Sequence, residues 1–161
     1  MINYPRFFHN RMNIDYQPYS PLYAAEFQSL VHGLYDHSPE GQPMKPHKIA
    51  ATIEYLTRNP HKGSIILFLR HDTVVGYSIL IPYWSNEYGG QILFVDELFV
   101  KEEYRNQKVG SHFLQYLFQK KAHGFKAILL EVFPSNTQAY NFYTRNGFEP
   151  NAGMFMRYVL S

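Results

Sequence analysis

Phe94-Val95-Asp96-Glu97-Leu98-Phe99-Val100 is followed, after Lys101 and Glu102, by Glu103-Tyr104-Arg105-Asn106-Gln107-Lys108-Val109-Gly110-Ser111. The first stretch reads as a strand, rich in aromatic and aliphatic residues. From the end of the second, Val109, Phe113, Leu114, Leu117 and Phe118 fall on one stripe and predict a helix over 109–123. A strand thus runs through a short turn straight into an amphipathic helix. At such a junction the first helical N–H groups lack intrahelical partners, and the helix dipole adds partial positive charge. Anionic oxygens, above all a pyrophosphate, suit that place, and Arg105 and Lys108 bring further positive charge to it. The turn is neither a P-loop nor a Gly-x-Gly-x-x-Gly fingerprint, and many turns of this kind hold only their own helix.

Working outward, 64–70 and 74–83 read as strands joined by His71-Asp72, and Asn86-Glu87-Tyr88-Gly89-Gly90 turns the chain into a strand over 91–100. Downstream, 127–133 reads as a buried strand, 136–146 as a helix and 154–160 as a closing strand. The first sixty residues predict a short strand near 13–17 and two helices. The first helix carries Leu22, Phe27, Leu30, Val31 and Leu34, with Pro18 and Pro21 marking its start; the second carries Ile49, Ile53 and Leu56 and stops near Asn59-Pro60. Residues 37–43 are a loop by composition. Antiparallel hairpins followed by strand-helix-strand-helix-strand predict an α/β fold: a mixed, mostly antiparallel sheet with helices on both faces, in a single domain over 1–161.

Composition narrows the function. The 161 residues are 45% hydrophobic and 17% charged, which is globular rather than disordered. A net charge of +2 is too small to argue for nucleic acid or an anionic membrane surface. The absence of cysteine rules out disulfides, a Cys-ligated zinc and a thiol nucleophile, and agrees with a cytoplasmic location. No apolar run reaches the roughly 18 residues of a membrane span, and residues 1–11 lack a signal-peptide core. Among eight histidines, His32 and His37 miss the i, i+4 spacing of a helical ligand pair, and His112 and His123 are too far apart to converge. No metal is expected.

A second motif follows the strand over 127–133: Asn136-Thr137-Gln138-Ala139-Tyr140-Asn141-Phe142-Tyr143-Thr144-Arg145-Asn146-Gly147-Phe148. Asn136 fits an N-cap, Ala139 permits close approach, and Gly147 fits a C-terminal stop. With Tyr104-Arg105-x-x-x-Val109-Gly110-Ser111 it resembles the GNAT superfamily of N-acetyltransferases. The resemblance covers roughly residues 63–160, an acetyl-CoA-binding core, and leaves 1–60 as an acceptor side alike only in element order. It implies acetyl-CoA as co-substrate, held by Leu98, Phe99, Val100, Arg105, Asn106, Gln107, Lys108, Val109, Gly110 and Ser111, and by Asn136, Ala139 and Tyr143. One departure stands out. The family usually has glycine where this chain has Lys108; a negative φ there would keep the turn, and the ammonium could meet a phosphate directly.

Aminolysis of a thioester needs a neutral amine, a stabilised oxyanion and a protonated leaving thiolate. A lysine-like amine of pKa about 10.4 is neutral in only about one molecule in a thousand or fewer at pH 7, so a carboxylate that takes its proton matters. Asp96 and Glu97 are charged residues in mid-strand, and in a regular strand only one of them could face the site. The resemblance implies a bulge or splay here, which frees N–H groups near Leu98 and Phe99 for the acetyl carbonyl. Glu97 is the first choice of base, then Asp96; Tyr143 is the implied acid toward the thiolate, with Tyr140 its local competitor. Val75-Gly76-Tyr77, Tyr83-Trp84, Glu87 and the strand over 95–100 look similar to the diamine (polyamine) acetyltransferase branch. That likeness makes Tyr83, Trp84, Glu87, Asp96 and Glu97 the substrate-binding set, with Asp36 and Glu40 as extensions. The implied partner is a small amine that attacks directly in a ternary complex, and homodimers are common in such relatives. A protein or peptide N-acetyltransferase and a non-catalytic acyl-CoA binder are the competing readings.

Overall fold

The computed structural model describes residues 14–36, 43–119, 124–151 and 156. They fall into two compact units, one up to Glu131 and one from Val132 onward. The first unit contains a five-stranded sheet in chain order: β1 (Ile14–Pro18), β2 (Ser64–Arg70), β3 (Thr73–Ser85), β4 (Gly90–Val100) and β5 (Ile128–Leu130). Pairing is antiparallel from β1 to β4 and parallel between β4 and β5. This is the mixed α/β architecture expected. The two-residue turn between β2 and β3 has φ of 48° at His71 and 61° at Asp72, the left-handed pair that matches the twist of a tight hairpin.

Helices cover both faces of this sheet. On one, α1 (Ala24–Asp36) and α2 (Pro46–Arg58) bury Phe27, Leu30, Val31, Ile49 and Leu56 against Ile65, Leu67, Leu69, Tyr77 and Ile79. Burying each such side chain is worth about 1.5–3 kcal/mol. On the other face, α3 (Val109–Gln119) packs Phe113 on Phe68, ring centroids 4.5 Å apart, with Tyr16 and Tyr116 completing an aromatic cluster. Alternation explains the division, since Leu67 and Phe68 are neighbours in one strand and point to opposite faces.

Several boundaries differ from the sequence expectation. Leu22 is 78% exposed, because Pro21–Tyr23 forms a separate 3-10 turn capped by the Ser20 hydroxyl. Tyr116, rather than Phe118, completes the buried stripe of α3. The strand predicted over 127–133 shortens to Ile128–Leu130, since β4 offers parallel partners only from Leu93 to Val95. The second unit contains α4 (Thr137–Arg145). Asn13, most of the loop at 37–43, His123 and most of the strand predicted over 154–160 lie outside the described residues.

Candidate active site

β4 changes phase at Asp96. Ile79 pairs with Glu97 but Leu80 with Val95, so Asp96 is one extra residue, a β-bulge. The backbone shows the consequence. Leu93 N–H donates to Ala127 O on the β5 side, whereas Lys101 N–H donates to Val75 O on the β3 side. In a regular strand two residues of the same parity would face the same edge. Beyond the bulge, therefore, the N–H groups of Leu98 and Val100 turn away from β3. They face an edge where β5 pairing has ended at Val95 and Leu130. Phe99 N–H, expected alongside that of Leu98, points to β3 by the same alternation.

Side chains are rephased as well. Glu97 and Phe99, paired with Ile79 and Tyr77, point to the α1 face. Glu97 Oε1 accepts from the Tyr35 hydroxyl of α1 and Oε2 from the Tyr77 hydroxyl of β3, each at 2.7 Å. Burial first, and then the Glu97 carboxylate, push both phenol pKa values up, so both stay protonated donors. Burial also raises Glu97, against the lowering effect of the two phenols and with a further rise from Asp96. Asp96 itself is exposed; partial burial of its carboxyl and the charge of Glu131 raise its pKa. Ser78, fully buried, donates its hydroxyl to Glu97 O at 2.8 Å and ties the bulge to β3. Tyr35 and Glu131 escape sequence reasoning because only the tertiary fold brings them to β4.

After a 3-10 turn at Glu102–Tyr104, the chain reaches α3 through two left-handed residues, Asn106 at φ 60° and Lys108 at φ 63°. Asn tolerates this region, but Lys does not do so readily. The turn thus keeps a glycine-like shape with a positive φ at Lys108, and not through the negative φ that would have suited a lysine. Arg70 Nη1 donates to Gln107 Oε1 at 2.7 Å, and Gln107 Nε2 to Glu103 O at 2.8 Å. The Gln107 side chain is therefore a brace for the turn. Arg105 Nε donates to Val100 O at 3.0 Å, and its guanidinium lies 5.3 Å over the Phe99 ring. The carbonyl of Lys108 starts the helical ladder by accepting from His112 N–H. The N–H groups of Val109, Gly110 and Ser111 are thus the unladdered donors at the α3 N-terminus. These donors and the cations of Arg105 and Lys108 suit a diphosphate.

In the second unit, Asn136 Oδ1 accepts from Ala139 N–H at 3.0 Å, an N-cap as expected. At the other end Gly147 has φ 90°, with Gly147 N–H on Thr144 O and Phe148 N–H on Tyr143 O, the Schellman pattern. Phe148 meets the Tyr143 ring edge-on at 5.5 Å, and Phe142 does so at 5.0 Å. Tyr143 is half-buried, and burial raises its phenol pKa, whereas Tyr140 is 48% exposed. Tyr83, Trp84 and Glu87 stand exposed at the tip of the β3–β4 hairpin. Trp84 is five residues along β3 from Ile79, the partner of Glu97, or about 17 Å at the rise of a strand. The structure does not bring this trio to the two acids. Asp36 ends α1 exposed, and Glu40 lies outside the described residues. Among the described residues no three His, Asp or Glu side chains could jointly hold a metal ion, and no helix is long and apolar enough to cross a membrane.

Comparison with known proteins bears on the fold and the family. The sequence model of the acetyltransferase (GNAT) family matches residues 23–148. A possible acetyltransferase from Clostridium difficile 630 superposes with a TM-score of 0.77 at 18% identity, covering 92% of this chain and 99% of the other. An integron cassette protein from the mobile metagenome of Cole Harbour Salt Marsh gives 0.76 at 26% identity, covering 91% and 90%. An aminoglycoside acetyltransferase from an uncultured soil metagenomic sample, solved with sisomicin, gives 0.71 at 12% identity, covering 92% and 97%. No curated protein sequence matches. With 126 consecutive residues matched by its model, the chain belongs to the GNAT family of acetyltransferases.

Proposed function

We propose that this protein transfers the acetyl group of acetyl-CoA to a small cationic primary amine, by direct attack with both substrates bound. The observation that carries the reading is the bulge at Asp96. One extra residue gathers an exposed acid, a phenol-held acid and two outward N–H groups on five residues of β4. Acetyl-CoA supplies the activated thioester. The Leu98 and Val100 N–H groups are the donors available to negative charge developing on a carbonyl oxygen there. Arg105, Lys108 and the first N–H groups of α3 hold the diphosphate, and Asn106, Gln107 and Gly110 keep the shape of that turn. Tyr143 keeps the role its motif implies, proton donor to the departing thiolate, with Asn136 and Ala139 setting the start of its helix.

The two acids divide the work at the amine. Glu97 already accepts a hydroxyl proton on each oxygen, which fixes its orientation and suits it to anchoring an ammonium. Asp96 is exposed and none of its oxygens is spent on a phenol, so it is the acid placed to take a proton from the amine and pass it to water. This reverses the order favoured from sequence. The rings of Tyr35, Tyr77 and Phe99 around Glu97 suit an aliphatic cation, and a polyamine is the case we favour.

The test is thiol release from acetyl-CoA with a panel of amines: spermidine, an aminoglycoside and a lysine peptide. We expect release that requires a small polycation. Asp96→Asn should lower kcat by about 10²–10⁴-fold, and Glu97→Gln should mainly raise KM for the amine. Coenzyme A binding without release from any amine would sink the transferase reading and leave an acyl-CoA binder. Release with the peptide alone would move the acceptor to protein.

A further inference from the structure

We propose that Phe99 and Gly33 are positioning residues for Arg105: the Phe99 ring, seated on α1 at Gly33, holds the guanidinium in the turn that opens α3. The inference rests on the reading above, in which that turn binds the diphosphate of coenzyme A.

Three contacts carry it. Past the bulge, Phe99 points to the α1 face, where its tip reaches the helix backbone at Gly33. A Cβ there would lie 3.0 Å from Phe99 Cζ and 3.3 Å from Cε1, so any larger residue would push the ring. The face of the same ring lies under the guanidinium of Arg105, 5.3 Å from its carbon. The third contact is the bond from Arg105 Nε to Val100 O at 3.0 Å, which fixes the other side of the group. A guanidinium held at both an edge and a face has lost most of its rotamers before any ligand arrives. Among the described residues its two Nη groups have no hydrogen-bond partner, which leaves the forked donors for an anion. The acceptor-side helix α1 therefore helps to shape the cofactor turn. It also holds Glu97 through Tyr35, so one helix braces both halves of the site.

A double-mutant cycle read by calorimetry with coenzyme A tests the idea, with melting temperatures confirming that each variant folds. Arg105→Gln should weaken binding roughly tenfold. Phe99→Leu should weaken it roughly three- to tenfold, the range of a stacked cation. In the Arg105→Gln background Phe99→Leu should add less than about twofold, because its effect passes through the arginine. Gly33→Ala should repeat the pattern, and it carries the test if Phe99→Leu does not fold. Phe99→Leu and Arg105→Gln multiplying as independent factors, or unchanged affinity in Phe99→Leu and Gly33→Ala, would overturn the inference while leaving the coenzyme site intact. Absence of coenzyme A binding by the unmodified protein would overturn both.

Discussion

Lys108 shows how one residue can keep a shape that its chemistry resists. A non-glycine residue in the left-handed region costs roughly 1–2 kcal/mol, and Lys108 sits there at φ 63°. Lys108→Gly should remove that strain, less the roughly 0.4–1 kcal/mol of extra freedom that glycine gives the unfolded chain. The expected net gain of about 0.5–1 kcal/mol corresponds to a melting temperature about 1–4 °C higher for a chain of this size. Scanning calorimetry checks it, and an unchanged or lower melting point would mean that the lysine is not strained. The departure from glycine was visible in the sequence, but the sign of φ was not. The turn is braced by the Arg70–Gln107 bond, whose partners lie 37 residues apart, and local sequence carries no trace of it. The same is true of Tyr35, 62 residues from the carboxylate it holds.

At the scale of elements, the contrast between α4 and β4 separates what was legible from what was not. The caps of α4 could be named in advance because Asn136 and Gly147 act on their own neighbours within four or five residues. The bulge in β4 could only be inferred from a resemblance, because its position is fixed by the pairing of Ile79 and Leu80 on another strand. It leaves a thermodynamic mark. Asp96 has a raised pKa in the folded chain. Between the ordinary aspartate value near 3.9 and that higher value, the native state binds more protons than the unfolded one. Stability contributed by this group therefore falls as pH rises through that window, and below it the shift has no effect. Asp96→Asn should accordingly melt above the unmodified protein at pH 8, lose that advantage by pH 3, and be catalytically poor. Melting curves across pH decide the point: a lower melting temperature for Asp96→Asn at pH 8 would show that the folded protein stabilises this carboxylate after all.

For the molecule as a whole, the order of the elements was readable because each strand meets the next in sequence, from β1 through β5. The length of β5 was not readable, since it depends on how far β4 stays regular before Asp96. That arrangement bears on the kinetic mechanism. An acetyl-enzyme route would need a nucleophile, and the 161 residues contain no cysteine. Ser78, the serine tied to the bulge, is fully buried and spends its hydroxyl proton on Glu97 O, so it is no acyl acceptor. In the proposed reading the two acids are occupied at the amine. The direct transfer from thioester to amine proposed above needs no such carrier, and it requires both substrates on the protein together. Initial rates measured over a grid of acetyl-CoA and amine concentrations should give double-reciprocal lines that intersect. No acetylated protein should accumulate when acetyl-CoA is supplied alone. Parallel lines, with an acetyl group found on the protein by mass spectrometry and passed on when amine is added, would reveal a covalent carrier and overturn direct attack.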